Sequence, residues 1–168
     1  MKWTKAQLMH GSQNVTFDEN VEIDPSEFSG NSRINSAEDV HVEGSGVYDP
    51  ESERFYVSLY VEGYMYCPDA ISGEEIEIPF EAESEEVYSF SRTDEDGVRE
   101  VNDDVIELMP AVVDAILLEV PLQMTVLAED EYPEGDGWKV YSEADYQESR
   151  KDQIDPRLAK LKQFDVEE

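Results

Sequence analysis

The chain has 168 residues and sets 42 Asp and Glu against 12 Lys and Arg, for a net charge of −30. A chain of this length fits one domain with a core of ordinary size, and its charge argues against weighty contact with isolated nucleic acid, because such binding rests on Lys and Arg neutralising phosphates. The lone cysteine, Cys67, excludes an intramolecular disulfide and any cysteine-based zinc cluster supplied by this chain alone.

No apolar run approaches the ~20 residues that cross a bilayer, and the first residues lack the apolar stretch of a signal peptide. These features predict a soluble cytoplasmic protein with no membrane partner. The charge is unevenly placed. In residues 150–168 the basic residues Arg150, Lys151, Arg157, Lys160 and Lys162 are balanced by Asp152, Asp155, Asp165, Glu167 and Glu168, so the whole excess falls within residues 1–149. The expected organisation is an acidic α+β domain over 1–149 and a basic C-terminal helical segment over 150–168, packed on or trailing that domain. Such a field attracts a basic protein and makes the encounter salt-dependent; the plain alternative is a solvated face that serves solubility.

In chain order, Val15-Thr16-Phe17 and Val21-Glu22-Ile23 alternate around an acidic turn, as short half-buried strands do. Residues 38–48 add Val40, Val42 and Val47 across two glycines, and Asp49-Pro50-Glu51-Ser52 is turn chemistry. From Arg54 the alternation resumes, with Phe55, Val57, Leu59 and Val61 on one face and Tyr56, Ser58, Tyr60 and Glu62 on the other, which predicts an antiparallel hairpin. Residues 75–82 form a third strand with Ile76, Ile78, Phe80 and Ala82 inward. Its Pro79 donates no hydrogen bond and marks an edge or a bulge. Residues 91–104 are polar and aperiodic, so a mobile, core-free connection is expected there. Val112, Val113, Ile116, Leu117 and Val120 then recur on one face of a helix, with Pro110 in its first turn and Pro121 at its end. Residues 129–137 read as an acidic loop. Asp155-Pro156 supplies an N-cap and N1 proline for a short final helix.

Little here suggests catalysis. The two histidines, His10 and His41, have no recognisable triad partners, and His41 reads as a solvent-side strand residue. Cys67 reads as a small buried hydrophobe. Paired acids are too common to be informative, and Asp94-Glu95-Asp96-Gly97 holds only a fragment of a calcium loop. Tyr56, Tyr60, Tyr64 and Tyr66 share one strand face by parity, with the phase depending on Gly63, and suit either cross-strand packing or a protein interface.

Read together, three stretches resemble the YceD family, the large ribosomal RNA subunit accumulation proteins. The first runs from Gly46-Val47-Tyr48-Asp49-Pro50 through Phe55-Tyr56-Val57 to Val61-Glu62-Gly63-Tyr64-Met65-Tyr66-Cys67-Pro68. The second joins Ile76-Glu77-Ile78-Pro79-Phe80 and Glu85-Glu86-Val87-Tyr88-Ser89-Phe90 to Val105-Ile106-Glu107-Leu108 and Ile116-Leu117-Leu118-Glu119-Val120-Pro121-Leu122. The third is Asp155-Pro156-Arg157-Leu158-Ala159-Lys160-Leu161. Many members carry a Cys-x-x-Cys turn and further cysteines; here Ala70 stands at the second turn position and Ala128 in the region of the later ones. The resemblance implies a role in producing or stabilising large-subunit ribosomal RNA, and the missing cysteines imply that this chain has no metal site.

The combined reading is an α+β fold, an antiparallel twisted sheet or partial barrel with one main packed core helix and a short C-terminal helix. Its expected function is non-enzymatic support of large ribosomal subunit assembly and of large-subunit ribosomal RNA accumulation, without cofactors. The expected partner is a basic large-subunit ribosomal protein or a pre-ribosomal particle. The candidate partner-binding residues are Tyr56, Tyr60, Tyr64 and Tyr66 with Arg150, Lys151, Arg157, Lys160 and Lys162. A hydrolase or nuclease acting on RNA through carboxylates is the alternative.

Overall fold

Strict alternation carries Phe55, Val57, Leu59 and Val61 to one side of a strand, and in the computed structural model, which describes residues 1–151, all of them are buried. The chain divides into two units, Met1–Met124 and the residues from Thr125 onward. In the first, β1 (Lys2–Thr4), α1 (Lys5–His10) and β2 (Asn14–Val21) lead into three long strands, β3 (Ser36–Asp49), β4 (Arg54–Pro68) and β5 (Glu75–Ser89). Then come β6 (Val98–Glu100), β7 (Val105–Glu107) and α2 (Met109–Glu119). Strands β2 to β6 form a five-stranded sheet in chain order, antiparallel except that β6 runs parallel to β5; β1 pairs with β7 in a separate ladder. The sheet stays open and does not close into a barrel, within the α+β architecture expected from the sequence.

One face of the sheet is the core. Phe17, Val40, Val42, Tyr48, Phe80 and Ala82 join the β4 residues there. Strand β2 continues through Asp18, Glu19 and Asn20, where an acidic turn was expected, because Glu43, Val42 and His41 stand opposite and complete the ladder. Val47 points outward and Tyr48 inward, since Gly44 and Gly46 keep the inner phase of β3 without filling it. A Cβ on Gly46 would lie 2.2 Å from Cζ of Phe55, so the ring occupies the volume that a side chain would need. Trp3 closes this cluster, its ring centroid 5.7 Å from Phe17 and 5.9 Å from Phe55.

Between Glu38, paired with Tyr64, and His41, paired with Glu62, β3 carries two residues, Asp39 and Val40, against Gly63 alone. This is a β-bulge, with Asp39 at φ 50°. A Cβ on Gly63 would lie 3.0 Å from the Glu38 carbonyl oxygen and 3.1 Å from Cα of Val40, so the bulged backbone favours glycine opposite it. Further along, Pro79 faces Tyr64 at a point where β5 has no strand on its other side among the described residues, the edge position its chemistry demands.

Helix α2 packs on β5 and β4 through Ala111, Val112, Ala115 and Ile116, all buried. Pro110 sits in its first turn and Val120 leaves it in an extended conformation before Pro121. Leu117 is only partly buried. The connection expected to lack a core holds no buried residue over 91–104, yet it contains β6, because a long-range partner supplies what local periodicity does not. Nε of Arg99 donates to Glu86 Oε2 (2.6 Å) and Nη2 to Asp114 Oδ2 (2.7 Å), tying β6 to β5 and α2. Helix α1 also lay outside the sequence reading; a capping box between Thr4 and Gln7 starts it, and Leu8 anchors it.

The second unit holds a turn at Glu129–Glu131, a small hairpin of β8 (Glu134–Gly135) and β9 (Trp138–Lys139), and α3 (Glu143–Lys151). The acidic loop expected over 129–137 thus contains β8, and α3 was not foreseen. The helix expected from Asp155, with Arg157, Lys160 and Lys162, lies outside the described residues. Among those residues no helix is long and apolar enough to cross a membrane.

Candidate functional site

The register of β2, β3, β4 and β5 arranges the solvent face of the sheet in rows. Val47, Tyr56 and Val87 form one row with Asn14. Next to it come Thr16, Ser45, Ser58 and Glu85, then Asp18, Glu43, Tyr60 and Glu83, then Asn20, His41, Glu62 and Glu81. Small hydroxyl side chains between two taller rows leave a trough across the strands. Its volume is about 920 Å³, and its lining includes Thr16, Asp18, Glu43, Ser45, Ser58, Tyr60, Glu83 and Glu85. Beyond the bulge the face continues as Glu38, Tyr64 and Pro79, then Ser36, Tyr66 and Glu77. None of these facing residues is Lys or Arg, so the field over the trough is uniformly negative.

The tyrosines expected to share a face do so, all on the outer side of β4. Tyr56 and Tyr64 are each 42% exposed, while Tyr60 and Tyr66 are half-buried. Desolvation, together with a hydrogen bond donated to Glu62, pushes the Tyr60 hydroxyl up to about 12. The bond donated by the Tyr66 hydroxyl to Glu77 Oε2 (2.7 Å) is the largest cause holding that group near the same value, about 12. These phenols stay protonated and commit their hydrogens to carboxylates, which fixes the rings. Aromatic faces among carboxylates can pair with ammonium or guanidinium groups, through ion pairing and cation–π contact.

His41 lies on this face, as expected, but the register gives it neighbours that the linear sequence hides. Its Nδ1 is 3.0 Å from Asn20 Oδ1 and its Nε2 is 3.4 Å from Asp18 Oδ1. Asp18, His41 and Glu43 each offer a ligand atom, all within 4.8 Å of one another. The group is open to water, and a divalent cation there would draw its remaining ligands from solvent. Cys67 is buried and burial pushes its thiol up, so it is a packing residue and not a thiolate nucleophile. Arg150 and Lys151 close α3 in the second unit, and Arg157, Lys160 and Lys162 fall outside the described residues, so the tyrosines are the part of the candidate set whose arrangement is visible. The trough itself was missed. Its signal, serine and threonine at matching positions of three strands, becomes readable only with the pairing register.

Comparison with known proteins gives a consistent result. The family model described as "Large ribosomal RNA subunit accumulation protein YceD" matches residues 57–165. The chain is also 36% identical over 173 residues to "Uncharacterized protein YlbN" of Bacillus subtilis (strain 168), an alignment covering 98% of this chain and 96% of that protein. No solved structure matches the chain.

Proposed function

From the premise that the chain belongs to the YceD family of large ribosomal RNA subunit accumulation proteins, we propose that it acts without catalysis, in the cytoplasm, by holding a basic large-subunit ribosomal protein or a pre-ribosomal particle on the solvent face of its sheet. The observation that carries this reading is the trough, where Asp18, Glu43, Glu83 and Glu85 surround a hydroxyl-lined floor beside Tyr60. A basic protein set there is shielded until ribosomal RNA, a denser polyanion, draws it away. Exposed ion pairs are individually weak, so affinity comes from many of them together with the tyrosine faces.

The experiment has two arms. A strain lacking the gene should show reduced large-subunit ribosomal RNA in sedimentation profiles. Purified protein should capture basic large-subunit ribosomal proteins with an on-rate that falls as salt rises from about 0.1 M to 1 M, over which the Debye length shrinks from about 10 Å to 3 Å. Normal subunit profiles together with capture of none of those proteins would overturn the proposal.

A further inference from the structure

Strand β5 is 15 residues long and pairs with β4 along its whole length, yet β6 covers only Val87–Ser89 on its other side. On that side the carbonyl of Ser89 accepts from the backbone N–H of Val101 (2.9 Å). Backbone groups alternate in direction along a strand, and the β4–β5 register has no shift. The N–H and C=O of Glu81, Glu83 and Glu85 therefore point to the open side, as does the N-substituted nitrogen of Pro79. Their side chains are exposed on the solvent face, while on the core face Phe80 and Ala82 are buried and Ser84 is half-buried. The other edge of the sheet, β2, carries on its solvent face the single carboxylate of Asp18 among Asn14, Thr16 and Asn20.

We propose that the β5 edge from Glu81 to Glu85 accepts an extended segment of the partner protein as an added strand, with lysine or arginine at every second position. This rests on the reading above that the partner is basic. Main-chain hydrogen bonds to the glutamate backbones supply register, and the alternating cations lie beside the three carboxylates. The intervening apolar side chains extend the core face beside Phe80 and Ala82. The same glutamates set two copies of this edge against each other by like-charge repulsion, so the edge discriminates a basic strand from its own kind.

The test uses the full chain and a synthetic nine-residue peptide alternating lysine and valine. Its control is a peptide of the same composition with the lysines in one block. The alternating peptide should bind about tenfold more tightly and slow hydrogen exchange at the amides of Glu81, Glu83 and Glu85. Glu83→Pro removes one edge donor without touching the β4 ladder, as Pro79 already does; it should weaken the alternating peptide about tenfold, and Glu83→Gln, which keeps the donor, much less. Equal binding of both peptides, unchanged exchange at those amides, or their protection by self-association alone would overturn the edge proposal. The broader reading is judged separately with Asp18→Lys combined with Glu43→Lys, on the far side of the trough. If that variant loses ribosomal proteins while Glu83→Pro keeps them and the edge amides stay fast, the edge fails and the trough reading stands.

Discussion

Gly46→Ala tests how the core supports the face where binding is proposed. The added methyl would sit 2.2, 2.8 and 3.0 Å from three ring atoms of Phe55, a side chain with 0% exposure. Carbon pairs rest comfortably at about 3.5–4.0 Å, so the ring must retreat by roughly 1.3 Å into a packed interior. Overpacking of this kind costs about 1–3 kcal/mol, and the lower chain entropy of alanine in the unfolded state returns about 0.4–1 kcal/mol. The expected net loss is about 1.3 kcal/mol. Phe55→Leu vacates the ring volume, so the double variant should recover more than about 1 kcal/mol relative to the sum of the single losses. Urea unfolding followed by tryptophan fluorescence measures this directly, because Trp3 touches Phe55; replacing Trp138, the other tryptophan, with Phe in the parent isolates the signal. A fully stable Gly46→Ala protein, or strictly additive energies, would refute the account of why β3 carries glycine at this position.

Ile116→Asp places a charge among fully buried α2 residues and should cost several kcal/mol, a large part of a domain's ~5–15 kcal/mol, read as a collapse in thermal melting; the milder Leu117→Asp should melt closer to the parent. Tyr60, Tyr66 and Tyr88 are each raised from 10.0 to about 12, so the fold prefers their protonated form. Their stabilising contribution is complete below pH ~10 and is lost as pH rises through about 12. Ultraviolet titration should find these phenols late, with Glu77→Gln moving Tyr66 earlier. Removing divalent cations should leave the melting temperature unchanged, because Asp18, His41 and Glu43 lie on the exposed face and no core residue depends on them; a fall on chelation would show a structural ion. Reversing Arg150, Lys151, Arg157, Lys160 and Lys162 should leave folding intact and lower co-sedimentation with large-subunit precursors, whereas unchanged co-sedimentation would free this cluster of any binding role.

Much of the fold was legible wherever one strand or helix reports its own environment. Phe55 to Val61 alternates because the two faces of β4 meet different solvents, and the α2 stripe repeats because one side of the helix meets the sheet. Pro79 announced an edge because its missing donor is tolerable only there. What stayed hidden depends on partners far away in sequence. β6 exists through Val87–Ser89, and Arg99 is held by Glu86 and Asp114, none of which marks residues 98–100 locally. The grouping of Asp18, His41 and Glu43 and the hydroxyl floor of the trough are products of register, which no single strand encodes. The Thr4-x-x-Gln7 capping box, Asp24-Pro25 at the turn over Pro25–Phe28 and Ser142 before α3 are local start signals that the sequence also carries.

The bulge at Asp39 and Val40 works as a frame-setter for everything before it in β3. Side-chain direction in a strand has period two, and the bulge absorbs one extra residue in that count, so deleting Asp39 would leave both arms of β3 on the faces they now have. Glu38 would follow directly on Val40 with Tyr64 still opposite it, and Ala37 would stay buried opposite Met65; it is straightening the strand with Asp39 retained that would turn Ala37 out to water and Glu38 in against the core. Asp39 and Gly63 are therefore one compound position in variation. A relative that loses the extra residue is eased of the demand for glycine opposite it and keeps the polarity of Ser36 to Glu38 as it stands, so that an insertion and a glycine travel as a single inherited unit.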